Sequence, residues 1–307
     1  MTTTKLILII SLFSLLHAKE DNVDLFDAYH DSLCKVLVSA SNSIDNYFID
    51  DKNSTLSSTT HAEFSTSFAK ETYLDMEKDI RFRLRLNLPK IQKNLRLVFE
   101  DENSDNLLYD GSSLNEQNLE DKRYYLRLEA FSYVKKNLNI KLGGGVRFRN
   151  RNLVPYLNVR SSYELYNKEK NIAELFNRFR YYSDGEIENN FEFNTLITLD
   201  DDLYVTWNNN FYHSNENEFE ILFDDLSLIY LINKKQKFNM GLGVSSLVEK
   251  FQDLNVDYYY LHSSFYHLFY KDWVYYELSP SILKRNINNF KTSYRFLVNF
   301  GIYFKSE

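Results

Sequence analysis

Residues 80–88 read IRFRLRLNL, so apolar residues alternate one by one with arginines and an asparagine. After a polar break the alternation resumes at 95–100, which reads LRLVFE. Side chains of a β-strand point alternately to two faces, so this period of two predicts a strand, a turn and a second strand. Each strand has one apolar face and one charged face. A soluble sandwich and a membrane barrel both satisfy this pattern.

Features outside this stretch favour the membrane. Lys5 is followed by an apolar run at 6–16 and then by charged residues, so residues 1–18 are predicted to be a signal peptide. No later segment is apolar for the ~20 residues that a transmembrane helix requires. Tyr (24) and Phe (24) are abundant while Pro (3) and Gly (8) are scarce, and runs such as Tyr258-Tyr259-Tyr260 are typical of interfacial girdles. An exported chain that alternates to its last residues is predicted to be an outer-membrane β-barrel.

A segment of different periodicity precedes the first strand. Between Leu25 and Phe48, apolar residues recur at steps of three and four, which predicts an amphipathic helix of ~26 residues and ~39 Å. This helix could plug the lumen or mouth, pair with itself or a periplasmic partner, or act as a passive spacer. The polar segment 50–60 is predicted to link it to the barrel.

Alternation predicts about fourteen strands, with twelve or sixteen as alternatives. An even count returns the last strand to the end where the first begins, which places both termini in the periplasm. The longest break, at 101–121, is predicted to face outward. The domain prediction is a signal peptide at 1–18, a helix and linker at 19–60, a barrel at 61–304 and a tail at 305–307. The predicted strands span 61–70, 78–88, 94–102, 122–134, 138–149, 154–166, 173–183, 187–199, 203–213, 217–232, 236–248, 254–269, 273–284 and 290–304.

The final strand carries Thr292, Tyr294 and further apolar residues up to Phe304 on one face. It resembles the C-terminal assembly signal of outer-membrane proteins, which implies insertion by the barrel-assembly machinery, although residues 305–307 follow the aromatic. From RFRLRL at 81–86 onward, the chain resembles uncharacterised porin-like barrels of Gram-negative bacteria. This resemblance implies contact with outer-membrane lipid and lipopolysaccharide, and passive passage of small hydrophilic solutes. A structural or interaction barrel with a closed lumen is the alternative.

Assigning the apolar register of each strand to lipid turns the other register inward. Strands in the first half then project mainly basic residues, and later strands project mainly acidic ones. Consecutive strands occupy consecutive arcs, so the two sets are predicted to face each other across the lumen, where they would select solutes or close the barrel as ion pairs. The basic set is Arg81, Arg83, Arg85, Arg96, Arg127, Arg147, Arg149, Arg160, Arg178 and Arg180. The acidic set is Glu188, Glu192, Glu220, Asp224, Asp257 and Glu277.

Catalysis is a weaker alternative. Some outer-membrane lipid hydrolases are barrels with a His-x-Ser pair on one strand, and His262 and Ser264 are similar in spacing, with Glu277 as a group that could orient the imidazole. Those enzymes continue Ser-Asn-Gly, whereas Phe265 follows here. We therefore predict no catalytic residues.

Other residue types give no strong site prediction. The acidic residues of 101–121 lack the turn spacing of a calcium loop, and Gly143-Gly144-Gly145 is predicted to be a bulge or a close approach of the helix. The single cysteine, Cys34, cannot form an internal disulfide. The net charge of -7 argues against a nucleic-acid partner. No cofactor and no metal centre are predicted.

Overall fold

The computed structural model describes residues 20–48, 60–87, 96–101, 124–149, 152–168, 170–216, 219–249 and 253–305. The predicted signal peptide at 1–18 and the acidic residues at 102–121 lie outside these ranges. Within them the chain forms a long helix α1 (Glu20–Phe48), fourteen strands and a short 3-10 helix (Asn286–Asn288). The strands are β1 (Thr60–Glu71), β2 (Met76–Asn87), β3 (Arg96–Asp101), β4 (Tyr124–Lys135), β5 (Leu138–Arg149), β6 (Asn152–Lys168), β7 (Asn171–Tyr182), β8 (Ile187–Asp200), β9 (Leu203–Ser214), β10 (Phe219–Asn233), β11 (Gln236–Glu249), β12 (Asp253–Tyr270), β13 (Val274–Arg285) and β14 (Thr292–Lys305).

The strands form one closed antiparallel barrel. Each strand pairs with its neighbours in sequence, and β1 pairs with β14, for example through Ala62 and Phe304. Each of the fourteen strands has a hydrogen-bonded neighbour on both sides, as a sheet in lipid requires. The predicted barrel of about fourteen strands is confirmed, and so is the N-terminal helix.

The two faces of the barrel differ sharply in exposure. On β7, Phe179 and Tyr181 are 39% and 49% exposed, whereas Arg178 and Arg180 are 6% and 1% exposed. In an isolated barrel the outer side chains have nothing above them, while the inner ones are crowded by their neighbours. The outer face is therefore the apolar one and the inner face the polar one, which is the arrangement of an outer-membrane β-barrel.

The two ends of the barrel also differ. One end, called the terminal end here, holds the start of β1, the end of β14 and tight turns such as the one between Tyr270 and Val274. The opposite end, called the loop end, holds the longest connection, which joins Asp101 at the end of β3 to Tyr124 at the start of β4.

Helix α1 lies against the terminal end. The His30 imidazole stacks on the Trp273 indole with ring centroids 4.0 Å apart, and its Nε2–H donates to the Tyr303 carbonyl at 2.9 Å. Asp27 pairs with Lys271 in the turn between β12 and β13. No helix in the described part of the chain is long and apolar enough to cross a membrane.

Candidate functional site

The inner face is the candidate site, and the structure places the predicted basic residues on it. Arg96 and Arg149 pair in the backbone register with Glu129 and Asn152 on the inward rows, and their side chains lie outside the described set. Whether this face lines a conducting pore stays a prediction. The basic residues with described side chains in the inward register are Arg81, Arg83, Arg85, Arg127, Arg147, Arg160, Arg178 and Arg180.

The six predicted acidic residues do not all lie on the inner face. Glu188, Glu192 and Glu277 lie in the inward register, where each is less than 9% exposed. Asp257 has no partner in the register, because β12 bulges between the residues that pair with Ser245 and Ser246. It is therefore a bulge residue rather than a regular inward position.

Glu220 and Asp224 are placed differently from the prediction. They share the face of β10 that carries Leu226, which is 46% exposed, so they lie in the outward register. The strand begins with a mixed pattern in which apolar and acidic residues occur on both faces, and its register is set by pairing with β9 and β11. Its second half, where Leu226, Leu228 and Tyr230 alternate with other residues, was the signal that could have identified the outward face.

The acidic residue of β10 that faces inward is Asp225. It accepts hydrogen bonds from Tyr260 Oη at 2.6 Å and from Ser227 Oγ at 2.6 Å, and His262 Nε2 lies 3.3 Å from its carboxylate. The first half of β10 does not reveal this network, because Asp224 and Asp225 are adjacent and apolar residues precede them on both faces.

A second network lies near the loop end, on β4 to β8. Arg147 pairs with Glu186 and stacks on Tyr182, with its guanidinium carbon 3.8 Å from the ring centroid. Arg180 pairs with Glu188 at 3.3 Å, and Tyr182 Oη donates to Glu188 at 2.5 Å. A guanidinium group that stacks on a ring and pairs with a carboxylate is held both at its face and at its N–H edge.

Ion pairs on the inner face join strands that are one to three positions apart in the barrel. Arg83 meets Glu63 on the adjacent strand at 3.4 Å, and Arg160 meets Glu129 two strands away at 3.1 Å. The pair between Arg147 on β5 and Glu188 on β8, at 3.8 Å, spans three strands. Many of the basic charges are therefore compensated locally, which differs from the predicted opposition of a basic and an acidic wall.

Tyrosine runs do not lie wholly in girdles. Tyr259 is outward and 49% exposed, but Tyr258 and Tyr260 on either side of it are inward and buried. The girdle assignment is thus wrong for Tyr258 and Tyr260, because consecutive residues of a strand face opposite ways.

The inward tyrosines cover glycines on the neighbouring strand. Gly145 is the register partner of Tyr156, and a Cβ built on Gly145 would lie 2.8 Å from the tyrosine hydroxyl. Gly243 has the same relation to Tyr260. The phenol therefore extends along the wall across the glycine. The predicted bulge at Gly143-Gly144-Gly145 lies on the partner strand β4, between the residues that pair with Gly143 and Leu142. At Gly145 the contact is with Tyr156 across the strands, where a helix contact was the other prediction.

The structure does not pair His262 with Ser264 and Glu277, the arrangement that a lipid hydrolase would need. His262 Nε2 lies 3.3 Å from both Ser227 Oγ and the Asp225 carboxylate on β10, and Ser264 pairs in the register with Asn239 of β11. One set of carboxylates, Asp184, Glu186 and Glu216, lies within 4.8 Å, a spacing that could hold a cation. Arg147 pairs with the first two and already supplies positive charge there.

No protein-family model and no curated protein sequence matches the chain. Solved structures do match. The chain is structurally similar to outer-membrane channels and porins of Gram-negative bacteria. The likeness is a distant one of fold.

Three of these structures illustrate the distance. A loop-deletion mutant of OmpT, an outer-membrane protein of Vibrio cholerae, matches at 10% identity with a TM-score of 0.48, covering 80% of this chain and 99% of that one. OpdK of Pseudomonas aeruginosa, solved with vanillate, matches at 9% identity and 0.47, covering 83% and 100%. DcaP of Acinetobacter baumannii, an outer-membrane channel, matches at 9% identity and 0.46, covering 81% and 96%.

Proposed function

We propose that the chain is a passive outer-membrane channel for small hydrophilic solutes, with both termini in the periplasm. The orientation is supported by the position of the tight turns, which share the terminal end with both strand termini, and by the long connection at the opposite end. The polar inner face supports the passage of solutes that carry hydrogen-bonding groups.

The observation that carries this proposal is the direction of the large inward side chains. Tyr156 lies over Gly145, and Arg180 stacks on Tyr125 with its guanidinium carbon 4.2 Å from the ring centroid. We infer that side chains extended along the wall in this way leave the axis of the barrel to water. A barrel of fourteen strands lies between eight-stranded barrels filled by side chains and sixteen-stranded porins with an aqueous channel.

A closed barrel is the second candidate, favoured by a different observation. Inward side chains are tightly packed, with Arg180 and Glu188 each only 1% exposed. If such packing extended to the axis, the barrel would serve a structural or interaction role instead of transport.

Single-channel conductance of the refolded mature chain in a planar bilayer separates the two candidates. Discrete current steps would support the channel, and their absence with correctly folded protein would contradict it in favour of the closed barrel. Folding is checked independently by the heat-dependent gel mobility typical of barrels.

Ion selectivity tests whether the inward charges line the path of the ions. Arg83→Glu reverses an inward charge, and Lys78→Glu makes the same change on the exposed outer face of the same strand. We expect only weak selectivity in the parent protein because the wall charges are locally paired. Arg83→Glu, alone or with Arg85→Glu, is expected to shift selectivity towards cations, and Lys78→Glu to leave it unchanged. Strong selectivity in the parent would favour opposed charged walls.

A further inference from the structure

Helix α1 is attached to the outer side of the barrel wall. His30 stacks on Phe304, which lies with Ile302 on the outward, apolar face of β14. Tyr270 Oη donates a hydrogen bond to Asp27 at 3.0 Å. Tyr270 is also outward, because it pairs with a residue of β13 that pairs in turn with Ile302. These contacts place the helix beside the face that the barrel turns to lipid.

The helix also runs along the rim of the barrel. Asp27 contacts the end of β12 through Tyr270, His30 contacts β14 three residues later, and α1 lies against β1 as well. These strands follow one another around the closed barrel, with β13 between β12 and β14. Ala62, an outward residue near the start of β1, is fully buried, whereas Phe64 beyond it is 42% exposed. A helix that meets neighbouring strands in turn lies across their ends, close to the plane of the membrane.

The strand ends that α1 contacts lie at the surface of the hydrocarbon core. β13 has twelve residues, and a rise of ~3.3 Å per residue at a tilt of ~40° gives it a span of about 30 Å along the membrane normal. The hydrocarbon core of a bilayer is ~30 Å thick. Phe304 and Tyr270, at the ends of β14 and β12, are therefore at the depth where aromatic rings meet lipid head groups. The helix that contacts them lies at the same depth.

The described part of α1 has three faces. Asp27 and His30 contact the barrel, and Asp31, Lys35 and Ser39 form an exposed polar face. The third face is a stripe of large apolar residues at steps of three and four, each between 43% and 64% exposed. A helix beside a barrel wall at the surface of a bilayer has three matching surroundings, which are protein, water and lipid. The members of this open stripe are Phe26, Tyr29, Leu33 and Val36.

The handedness of the barrel decides which face of the helix points into the bilayer. Barrel strands wind right-handed around the axis. One row of paired outward residues climbs from the terminal end at Phe304 towards the loop end at Val146 in the order of the strands, which therefore run counterclockwise when seen from the terminal end. α1 runs the same way, so it has the barrel on its left, water above and lipid below. Its residues advance clockwise by about 100° each when viewed from the N-terminus, so the open stripe, ~110° back from the docked face, points towards the hydrocarbon.

We propose that α1 is an interfacial helix whose open stripe lies among the acyl chains of the leaflet at the terminal end. The stripe then continues the lipid-facing surface of the barrel, to which Phe304 belongs, instead of facing water. α1 contains six acidic residues and one lysine, so attraction to anionic head groups does not hold it there. The lipid that it fits is zwitterionic phospholipid, bound through burial of apolar area.

Spin labels distinguish contact with lipid from contact with water. In a Cys34→Ser background, Val36→Cys and Lys35→Cys each carry a nitroxide in the full mature chain, reconstituted into phosphatidylcholine bilayers. We expect oxygen, which concentrates in lipid, to relax the label at position 36 at least threefold more effectively than a water-soluble nickel chelate does, and the reverse at position 35. A label at position 36 that is open to the nickel chelate overturns the proposal. Shielding of that label from both reagents also overturns it, because it indicates cover by protein.

Two pairs of charged variants test whether lipid holds the helix in place. Leu33→Asp with Val36→Asp puts two carboxylates into the open stripe, and Ser32→Asp with Ser39→Asp puts two on the exposed polar side of the same helix. In phosphatidylcholine bilayers we expect at least a tenfold loss of hydrogen-exchange protection within α1 for the first pair and less than twofold for the second. Equal losses, or unchanged protection in the first pair, contradict the proposal. Neither experiment depends on whether the barrel conducts.

Discussion

The imidazole of His30 in helix α1 lies parallel to the indole of Trp273 in the barrel, with 4.0 Å between ring centroids and 16° between planes. The Phe304 ring also stacks on the imidazole, with 5.3 Å between ring centroids. The helix is therefore attached to the strand ends by an aromatic stack together with the hydrogen bond to Tyr303.

Replacing His30 tests this attachment. His30→Ala removes the stack and the hydrogen bond, so we expect helix docking to weaken by about 1–3 kcal/mol and proteolysis within α1 to accelerate. Tyr29→Ala is the matched control, because Tyr29 is 64% exposed on the same helix. Equal protease sensitivity of the two variants would show that the stack does not hold the helix.

Docking should also depend on pH through Asp27. The hydrogen bond from Lys271 holds the pKa of Asp27 below its ordinary value of 3.8, and this pairing raises the pKa of Lys271 above 10.5. A depressed carboxyl pKa stabilises the docked state above pH ~4, and this contribution is lost as pH falls through the lowered pKa. The raised lysine pKa gives a contribution that is present below pH ~10.5 and lost as pH rises further.

Hydrogen exchange of α1 between pH 3 and 6 measures the acid limb after correction for intrinsic exchange rates. We expect protection to fall towards the acid end in the parent and to vary little in Asp27→Asn. A parallel loss of protection in both proteins would assign the pH dependence to another group.

The glycine run on β5 offers a paired test of wall packing. A methyl group at Gly145 would meet the Leu126 carbonyl and the Tyr156 ring, whereas at Gly144 the nearest atom is the Tyr156 carbonyl oxygen at 3.2 Å. We expect Gly145→Ala to destabilise the barrel by about 1–3 kcal/mol and Gly144→Ala to cost clearly less. Thermal unfolding in detergent micelles measures both, and a larger loss for Gly144→Ala would contradict the packing described.

The buried network near the loop end should be sensitive to removal of its cation. Arg147→Met leaves the carboxylates of Glu186 and Glu188 buried without this partner, so we expect a loss of about 3–5 kcal/mol. Arg81→Met is the control, because the Arg81 side chain is 30% exposed and pairs with Asp79, and the substitution should cost less than about 1 kcal/mol. Partial rescue of Arg147→Met by Glu186→Gln would identify unpaired charge as the cause, and similar losses in the two arginine variants would refute it.

Much of the fold follows from alternation. The pattern at 80–88 repeats to the C-terminus, and the strand ends it predicts lie within two residues of those in the structure. Alternation succeeds for most strands because their two faces follow one local rule, apolar outside and polar inside. The helix is equally local, since its period of three to four needs no tertiary partner to be recognised.

Register is where local reasoning fails. Asp224 and Asp225 are adjacent acidic residues after a stretch that is apolar on both faces, and pairing with Asn209 and Asn208 on β9 shows that Asp225 is the one that faces inward. The bulge at Asp257 is likewise invisible in the sequence, because it depends on the partner strand.

The sequence by itself determined a closed barrel with an apolar exterior, a charged interior and an N-terminal amphipathic helix, because these are properties of periodicity. Only the tertiary structure decided how the interior charges are paired, that tyrosines lie over glycines, and that Asp224 lies on the outer face. Those features depend on contacts between residues on different strands. In a barrel such contacts are set by the stagger of neighbouring strands and the bulges within them.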